Sequence, residues 1–241
     1  MQNIERITMH LYKLSPSKLA WLYKDCPRCF WLDMNGIHKR PGAPFPRIFN
    51  AIDRRQRERL HGAKLPTGET FDTTERRVTS VPVVSADGEY SIMISGKLDY
   101  LLWHPSDGMA TLGDFKTAAP KEEDIQRYQR QLNSYSFGLE HPIKGDRICI
   151  SGNRLFYSTP KTYDINETFD WFTLGGPVSF VDIPYDPDWF RGLLLEVMDF
   201  LAAPEPDMEI AAKSCSYCSW EAMICAEIRN PIHVERIEAH A

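Results

Sequence analysis

Two stretches of the chain carry apolar residues every three or four positions, the spacing that places them on one face of a helix. The first stretch covers residues 47–62, and its apolar side, opposite a row of arginines, is formed by Ile48, Ala51 and Ile52. The second covers residues 121–140, and its apolar face is formed by Ile125, Tyr128, Leu132, Tyr135 and Leu139. Both patterns predict amphipathic helices.

Capping residues mark two further helices. Ser15 followed by Pro16 is a common helix start, and a short helix is predicted from there towards Cys26. Near the C-terminus, Asp186 or Asp188 is expected to cap a helix that ends before Pro204.

Between these helices the pattern changes to runs rich in Val, Ile, Leu and Tyr that are separated by turn residues, which predicts strands. An antiparallel meander is expected over 76–84, 90–103 and 109–117, with later strands over 147–159 and near 169–183. The order of helices and strands predicts an α/β fold with a mixed central sheet flanked by helices. No linker or repeat divides residues 1–241, so a single domain is expected.

The composition is that of an ordinary soluble protein, with 43% hydrophobic and 25% charged residues. A net charge of −5 argues against a protein that coats nucleic acid through its overall charge. The N-terminus lacks the apolar core of a signal peptide, and no apolar run reaches the roughly 18 residues that span a bilayer. We therefore expect a cytoplasmic protein, in which clustered cysteines indicate metal binding more than disulfides.

The segments GKLDYLL and GDFKTA carry the most informative polar residues. In a strand, Asp114 and Lys116 project to the same face, and Asp99 reaches that face if the preceding strand pairs with it. Two carboxylates form an oxygen site suited to Mg²⁺ or Mn²⁺, and the ammonium can stabilise charge on a phosphate. Two such charges are also common on solvated strand faces, so the motif gains weight only from its surroundings.

Those surroundings resemble the catalytic signature of RecB-type exonucleases in the PD-(D/E)XK superfamily. Asp99 comes first, then Asp114-Phe115-Lys116, then a helix with Gln131-Leu-Asn-Ser-Tyr135. The resemblance implies a restriction-endonuclease-like core and a divalent-metal-dependent deoxyribonuclease, an exonuclease acting on single-stranded DNA. It implies catalytic roles for Asp99, Asp114, Lys116, Gln131 and Tyr135, and metal binding by Asp99, Asp114 and the carbonyl of Phe115.

Relatives often add a metal ligand from the first core helix, and Asp53 offers a carboxylate there. Asp53 has an alternative partner in Arg57, one turn later on the predicted helix. Gln131 is similarly open to two interpretations, as a solvated helix residue or as a contact to substrate or water.

Cysteines cluster near the two ends of the chain. Cys215, Cys218 and Cys225 form C-x₂-C-x₆-C, and Cys26 lies in the segment CPRCFWL. The same resemblance, to AddB-type subunits and CRISPR-associated exonucleases, implies that these four cysteines hold a [4Fe–4S] cluster between segments 15–35 and 209–228. The final spacing is one residue longer than in that pattern, Cys29 is an alternative to Cys26, and four thiolates also suit zinc.

A basic helix is the expected DNA contact. Arginines and lysines far outnumber acids between residues 38 and 64, and Arg54, Arg55 and Arg59 are the expected phosphate ligands. A solvated helix face is the alternative. The resemblance further implies single-stranded DNA and other DNA-processing or CRISPR-adaptation proteins as partners. Two rival functions stay open: a catalytically silent DNA-binding or assembly subunit, and a zinc-stapled structural module.

Overall fold

A computed structural model describes residues 9–42, 46–168 and 170–229 of the chain, and the side chains of 226–229 are not described. Its strands are β1 (His10–Leu14), β2 (Thr70–Asp72), β3 (Arg76–Thr79), β4 (Val83–Val84), β5 (Tyr90–Leu98), β6 (Tyr100–Trp103), β7 (Ala110–Lys116), β8 (Ile150–Ser158), β9 (Thr162–Ile165), β10 (Phe172–Gly175) and β11 (Val178–Ile183). Its helices are α1 (Tyr23–Asp25), α2 (Pro27–Met34), α3 (Arg47–Leu60), α4 (Ile125–Glu140), α5 (Pro187–Ala202), α6 (Met208–Ala212) and α7 (Ser216–Arg229). A π-helical turn, Lys18–Leu22, leads into α1, and a 3₁₀ turn, Glu122–Asp124, leads into α4.

The strands form two mixed sheets and one hairpin. The larger sheet has the order β11-β8-β7-β6-β2, with β7 and β8 parallel and the other neighbours antiparallel. In the smaller sheet β5 pairs with β1 in parallel and with β3 and β4 antiparallel. β9 and β10 pair only with each other among the described strands. The predicted fold class, mixed sheets flanked by helices, is confirmed.

Helix α4 runs beside two of the hydrophobic clusters that lie against these sheets. One packs β1 and β5 against α2 and α5, with Leu14, Phe30, Ile94 and Leu194 fully buried. The other packs the larger sheet against α4, with Leu112, Leu132 and Leu155 fully buried. The predicted apolar face of α4 is therefore the face that binds this helix to the core.

Local signals at the helix ends are also confirmed. The backbone N–H of Lys18 donates to Ser15 Oγ at 3.3 Å, and the N–H of Trp189 donates to the Asp186 side chain at 2.9 Å. Each acceptor satisfies an N–H that has no partner inside its helix.

The expected meander is wrong in one important respect. The run 90–103 is two strands, β5 and β6, which belong to different sheets and meet at Asp99. Close packing at Gly96 accompanies this division, because a Cβ there would come within 2.9 Å of both Pro16 and the Tyr135 ring. An alternation pattern reports buried faces, and it does not report which neighbour a strand pairs with.

Other differences concern exposure. Cys149, which lies within the predicted strand 147–159, is exposed and precedes β8. Helix α3 forms where predicted, yet none of its residues is fully buried, and only its C-terminal Leu60 packs against a core cluster among the described residues. Among the described residues, no helix has the length and apolar character needed to cross a membrane.

Candidate catalytic site and cysteine cluster

The two predicted carboxylates, Asp99 and Asp114, lie close together where β5 ends and β6 begins. Register pairs Tyr100 with Gly113, and continuing it places Asp99 opposite Asp114. Asp99 Oδ2 accepts a hydrogen bond from the backbone N–H of Phe115 at 3.0 Å. The structure thus brings together Asp99, Asp114 and Phe115, as the sequence predicts.

Gly113 allows this close approach. A Cβ at Gly113 would lie 1.9 Å from a ring carbon of Tyr100. The ring is fully buried, and its hydroxyl donates to the carbonyl of Arg154 at 3.2 Å. Only a glycine leaves room for Tyr100 between the strands, and sequence analysis did not identify either residue as part of the site.

Lys116 lies on the same face of β7 as Asp114 and forms an ion pair with it. Its Nζ lies 4.6 Å from the centre of the Tyr128 ring, an additional cation–π contact. Burial alone would lower the pKa of Lys116, but the charge of Asp114, the hydrogen bond to Asp114 and the smaller effects of Tyr128 and Asp99 together raise it. Lys116 is therefore an ammonium at neutral pH, which suits it to stabilising negative charge and not to accepting a proton.

Helix α4 adds two of the predicted residues. Gln131 is buried, and its Nε2 donates to Asp114 Oδ1 at 3.3 Å. Tyr135, one turn later, packs against Gly96. Burial and then the charges of Asp114 and Asp99 raise the pKa of Tyr135, so its phenol stays protonated. The solvated alternative for Gln131 is wrong, because this side chain holds a carboxylate of the site.

Arg57 connects α3 to the carboxylates, a role that the sequence does not reveal. Its Nε donates to the two Asp53 carboxylate oxygens at 3.2 and 3.0 Å, its Nη1 donates to the Asp99 carbonyl at 2.7 Å, and Nη2 pairs with the Asp99 carboxylate. The alternative partner foreseen for Asp53 is thus present. Asp53 nevertheless faces the same pocket as Asp99.

That pocket has a volume of about 440 Å³, and its lining includes Asp53, Asp99, Phe115 and Lys116. Burial, followed by the charge of Asp114, raises the pKa of Asp99 to about 7 despite the opposing effect of Arg57. Two carboxylates that repel each other, Asp99 lining the pocket and Asp114 buried beside it, are a donor set that fits a hard divalent cation, since such a cation would compensate their charge.

The predicted DNA contacts lie outside this pocket. Arg54, Arg55 and Arg59 are exposed on α3, and Arg55 pairs with Glu58 at 2.6 Å. Arg55 and Arg59 line a neighbouring groove that shares Gln56 and Thr117 with the pocket. The arginines are therefore placed beside the carboxylates and not among them.

A second group of metal-ligand residues lies where the two ends of the chain meet. The Sγ atoms of the four cysteines of this group all lie within 4.8 Å of one another, and all four residues are buried: Cys26, Cys29, Cys215 and Cys218. Cys225, expected as the fourth member, is half-buried on α7 and is not in the group, whereas Cys29 joins Cys26 instead of replacing it.

The positions of the cysteines relative to the helix starts explain why Cys29 belongs to the group and Cys225 does not. Cys26 caps α2, with Pro27 in the first turn, and its Sγ accepts from the N–H of Cys29 at 3.5 Å. Cys215 directly precedes α7, whose first turn carries Cys218. A C-x₂-C at a helix start turns both sulfurs to one side, whereas Cys225 lies two turns further along α7. Two C-x₂-C motifs are visible in the sequence and would have given this grouping.

Arg28 lies beside the cysteine cluster and contacts it directly. This buried guanidinium pairs with Glu205 at 2.7 Å and Glu221 at 2.6 Å and donates to Cys218 Sγ at 3.8 Å. Burial raises the pKa of Cys29 and raises that of Cys218 to about 11. At Cys215, burial is outweighed by hydrogen bonds from the backbone of Cys218 and Tyr217 and from neighbouring thiols, which lower the pKa. Neutral thiols are therefore favoured at Cys29 and Cys218, and a bound cation would have to displace their protons.

The spacing of the sulfurs limits what the group can hold. Sγ–Sγ distances are 3.6 Å for Cys26 and Cys218, 3.5 Å for Cys29 and Cys218, and 3.8 Å for Cys29 and Cys215. A tetrahedral ion with metal–sulfur bonds of about 2.3 Å places its ligands about 3.8 Å apart. A cubane cluster separates its four thiolates by roughly 6 Å, because iron and sulfide lie between them. The four cysteines can therefore hold a metal ion, and a single ion fits their spacing.

No protein-family model matches the chain, and no curated protein matches it. One solved structure, described as "Crystal structure of SSO0001", aligns with 88% of this chain and 85% of its own chain. Its sequence identity is 16% and its TM-score is 0.46. What this chain does must follow from the geometry of its own residues.

Proposed function

We propose that the protein is a divalent-metal-dependent nuclease that hydrolyses phosphodiester bonds in DNA, and acts as an exonuclease on single strands. The observation that carries the proposal is the convergence of Asp99, Asp114 and Lys116, of which Asp99 and Lys116 line one pocket and Asp114 lies buried beside it. Asp99 binds the N–H of Phe115 at 3.0 Å, and Asp114 pairs with Lys116. The motif of charged residues, ambiguous in the sequence, is therefore directed into a pocket and not towards open solvent.

Each residue has a role that follows from its contacts. Asp99, Asp114 and the Phe115 carbonyl would hold Mg²⁺ or Mn²⁺, with Asp53 as a further carboxylate at the rim. The bound ion would lower the pKa of a water molecule and offset charge on the phosphate. Lys116, as an ammonium, stabilises the added negative charge, and Gln131 keeps Asp114 oriented through its hydrogen bond at 3.3 Å.

Cleavage assays test this proposal. Labelled single-stranded and double-stranded DNA would be incubated with the protein in Mg²⁺, in Mn²⁺ and in excess chelator. We expect single strands to be shortened from an end with either metal and left intact in chelator, and we expect Lys116→Ala to abolish cleavage. DNA that is bound but never cut under any of these conditions would identify the catalytically silent subunit instead. Cleavage by Lys116→Ala at the wild-type rate would refute the assigned site.

The identity of the ion in the cysteine cluster is a separate part of the proposal. Resemblance to the RecB-like exonucleases implies a [4Fe–4S] cluster, whereas three Sγ–Sγ distances of 3.5 to 3.8 Å, with all four sulfurs within 4.8 Å of one another, support one tetrahedral ion. We therefore favour Zn²⁺, bound by Cys26, Cys29, Cys215 and Cys218.

Metal analysis of anaerobically purified protein separates these alternatives. We expect about one zinc per chain and no broad absorbance near ~400 nm, the region in which iron–sulfur centres absorb. Four irons per chain with brown colour would restore the iron–sulfur assignment. Cys29→Ser should lose the ion and Cys225→Ser should keep it, since only Cys29 belongs to the group.

A further inference from the structure

An apolar groove of about 560 Å³ runs beside the candidate catalytic pocket. One wall is the side of α3 that carries Ile48 and Ile52, and the other is β10, which contributes Phe172 and Leu174. Its size is in the range of small-molecule sites, about 300 to 1,000 Å³. Ile48 and Phe172 are each 51% exposed, a costly arrangement for large apolar side chains unless something covers them.

The groove is continuous with the catalytic pocket. Gln56 and Thr117 line both, and Gln56 Nε2 donates to Ser158 Oγ at 2.8 Å across the boundary. Phe156, also part of the lining, packs edge-on against Phe115 with ring centres 5.5 Å apart. A ligand in the groove would therefore contact Phe156, whose ring packs against Phe115, the residue whose carbonyl is a candidate metal ligand.

Charge distinguishes the groove from an ordinary hydrophobic patch. Arg55 and Arg59 lie along it, and none of its lining residues is acidic. Apolar and aromatic walls, flanked by arginines and opening towards two carboxylates, fit a ligand with flat apolar parts joined by anionic links. A nucleic acid strand has this chemistry: its bases stack on aromatic rings and its phosphates pair with arginine.

We propose that this groove receives the unpaired bases of the DNA strand next to the phosphate that lies over Asp99 and Asp114. The inference rests on the proposed nuclease function and specifies its substrate. Bases inside a duplex are stacked and paired, so they cannot enter a groove between a helix and a strand. The groove therefore selects a strand that is single-stranded on one side of the cleaved bond.

Phe172→Ala tests the groove, with Trp171→Ala as its control. Both side chains are exposed aromatic residues and neighbours in sequence, but only Phe172 lines the groove. Binding would be measured with Ca²⁺ in place of Mg²⁺, to a single-stranded oligonucleotide and to a set in which one nucleotide at a time is abasic. An abasic nucleotide keeps the phosphate and removes the stacking surface.

We expect Phe172→Ala to raise the Kd for the intact strand about tenfold, the effect of losing one base–aromatic stack. For the strand that is abasic at the contacted position, Phe172→Ala and wild type should bind equally, because no base is left to stack. Trp171→Ala should match wild type on every strand, and Phe172→Tyr should restore binding. Ile48→Ser, on the opposite wall, provides the same test if Phe172→Ala fails to fold.

Three outcomes have distinct meanings. If wild type binds and cuts single strands but Phe172→Ala and Ile48→Ser bind as tightly as wild type, the groove proposal is wrong and the nuclease proposal stands. If these variants weaken binding equally on intact and abasic strands, the groove does not hold bases and the proposal is likewise overturned. If wild type neither binds nor cuts any DNA, the proposed function fails, and the groove proposal with it.

Discussion

The carboxylate pocket and the cysteine cluster both bring together residues that can bind metal, but they differ in accessibility, in charge and in the donor atoms they offer. Asp99 borders a pocket of about 440 Å³, Asp114 lies buried opposite it on β7, and Arg57 and Lys116 balance their charge. The cysteine sulfurs lie within 4.8 Å of one another in buried surroundings. An accessible oxygen site can exchange ligands and bind substrate, whereas a closed thiolate site is suited to structure.

The two sites also differ in what they join. Asp99, directly before β6, and Asp114, on β7, are close in sequence, so the turn between these strands is enough to bring them together. Cys26 and Cys218 are 192 positions apart and connect the segment before α2 to α7. Cross-linking so long a loop restricts the unfolded chain. Variants of the two sites should therefore separate into losses of activity and losses of stability.

The largest stability loss is expected for Cys218→Ala, because its sulfur lies closest to two other members of the cluster. Losing the ion should reduce the free energy of unfolding by at least about 4 kcal/mol and lower the Tm by roughly 10 °C or more. Thermal melts with parallel metal analysis measure this effect. Cys225→Ser is the matched control and should melt like wild type. Equal stability of Cys218→Ala and wild type would remove the structural role.

A smaller loss is expected at the carboxylate pocket for Gly113→Ala. The new Cβ would overlap the Tyr100 ring, and relieving the overlap should cost about 3 kcal/mol while displacing Asp114. Denaturant unfolding measures the cost. Gly152→Ala on the neighbouring strand β8 is the control, since a Cβ there meets nothing within 4 Å. If both variants are equally stable, the packing of Tyr100 does not fix the position of Asp114.

Asp99→Asn should change how stability depends on pH in the absence of divalent ions. The pKa of Asp99 is raised to about 7, so between roughly pH 4 and pH 7 the native state retains a proton that the unfolded chain has released. Raising the pH therefore destabilises wild type, and this loss should be absent in the variant. Relative to wild type, we expect Asp99→Asn to gain about 2 kcal/mol between pH 4 and pH 8, since partial solvent exposure screens the full shift. A difference in stability that is constant with pH would contradict the raised pKa.

The smallest effect is expected from the basic helix. Replacing Arg54, Arg55 and Arg59 together by Ala should weaken binding to single-stranded DNA about tenfold and reduce the slope of log K against log salt by about 2, since each lost phosphate contact contributes about 0.7. Fluorescence anisotropy at several salt concentrations measures both quantities. The exposed pair Lys144 and Arg147, after the C-terminal end of α4, provides the control substitution. An unchanged slope would mean that α3 presents only a solvated face.

The sequence predicts much of this architecture because the spacing of apolar residues and the capping of helices are local properties. The spacing of Leu132 and Tyr135 and the caps at Ser15 and Asp186 indicate elements that depend on nearby residues. The carboxylates could be placed as well, because Asp114 and Lys116 share a face of any strand they occupy.

Other features depend on contacts between distant segments and are not local. Nothing near Arg57 in the sequence indicates that it reaches Asp99, which lies 42 positions later. The separation of β5 from β6 depends on which strands lie beside each of them. The exposed apolar side of α3 has the same pattern as a core helix, and only the fold shows that it lines a groove. In contrast, the pairing of Cys29 with Cys26 could have been recognised from the two C-x₂-C motifs.

We propose that Asp114 serves catalysis whereas the cysteine cluster serves structure. Single-turnover cleavage of labelled single-stranded DNA in saturating Mn²⁺, compared between wild type and Asp114→Asn, tests it most directly. The substitution should reduce the rate at least about a thousandfold by removing a metal ligand, with unchanged DNA affinity, Tm and cysteine-bound metal. Cleavage by Asp114→Asn at the wild-type rate, in protein that keeps its Tm and cysteine-bound metal, would show that Asp114 has no catalytic role.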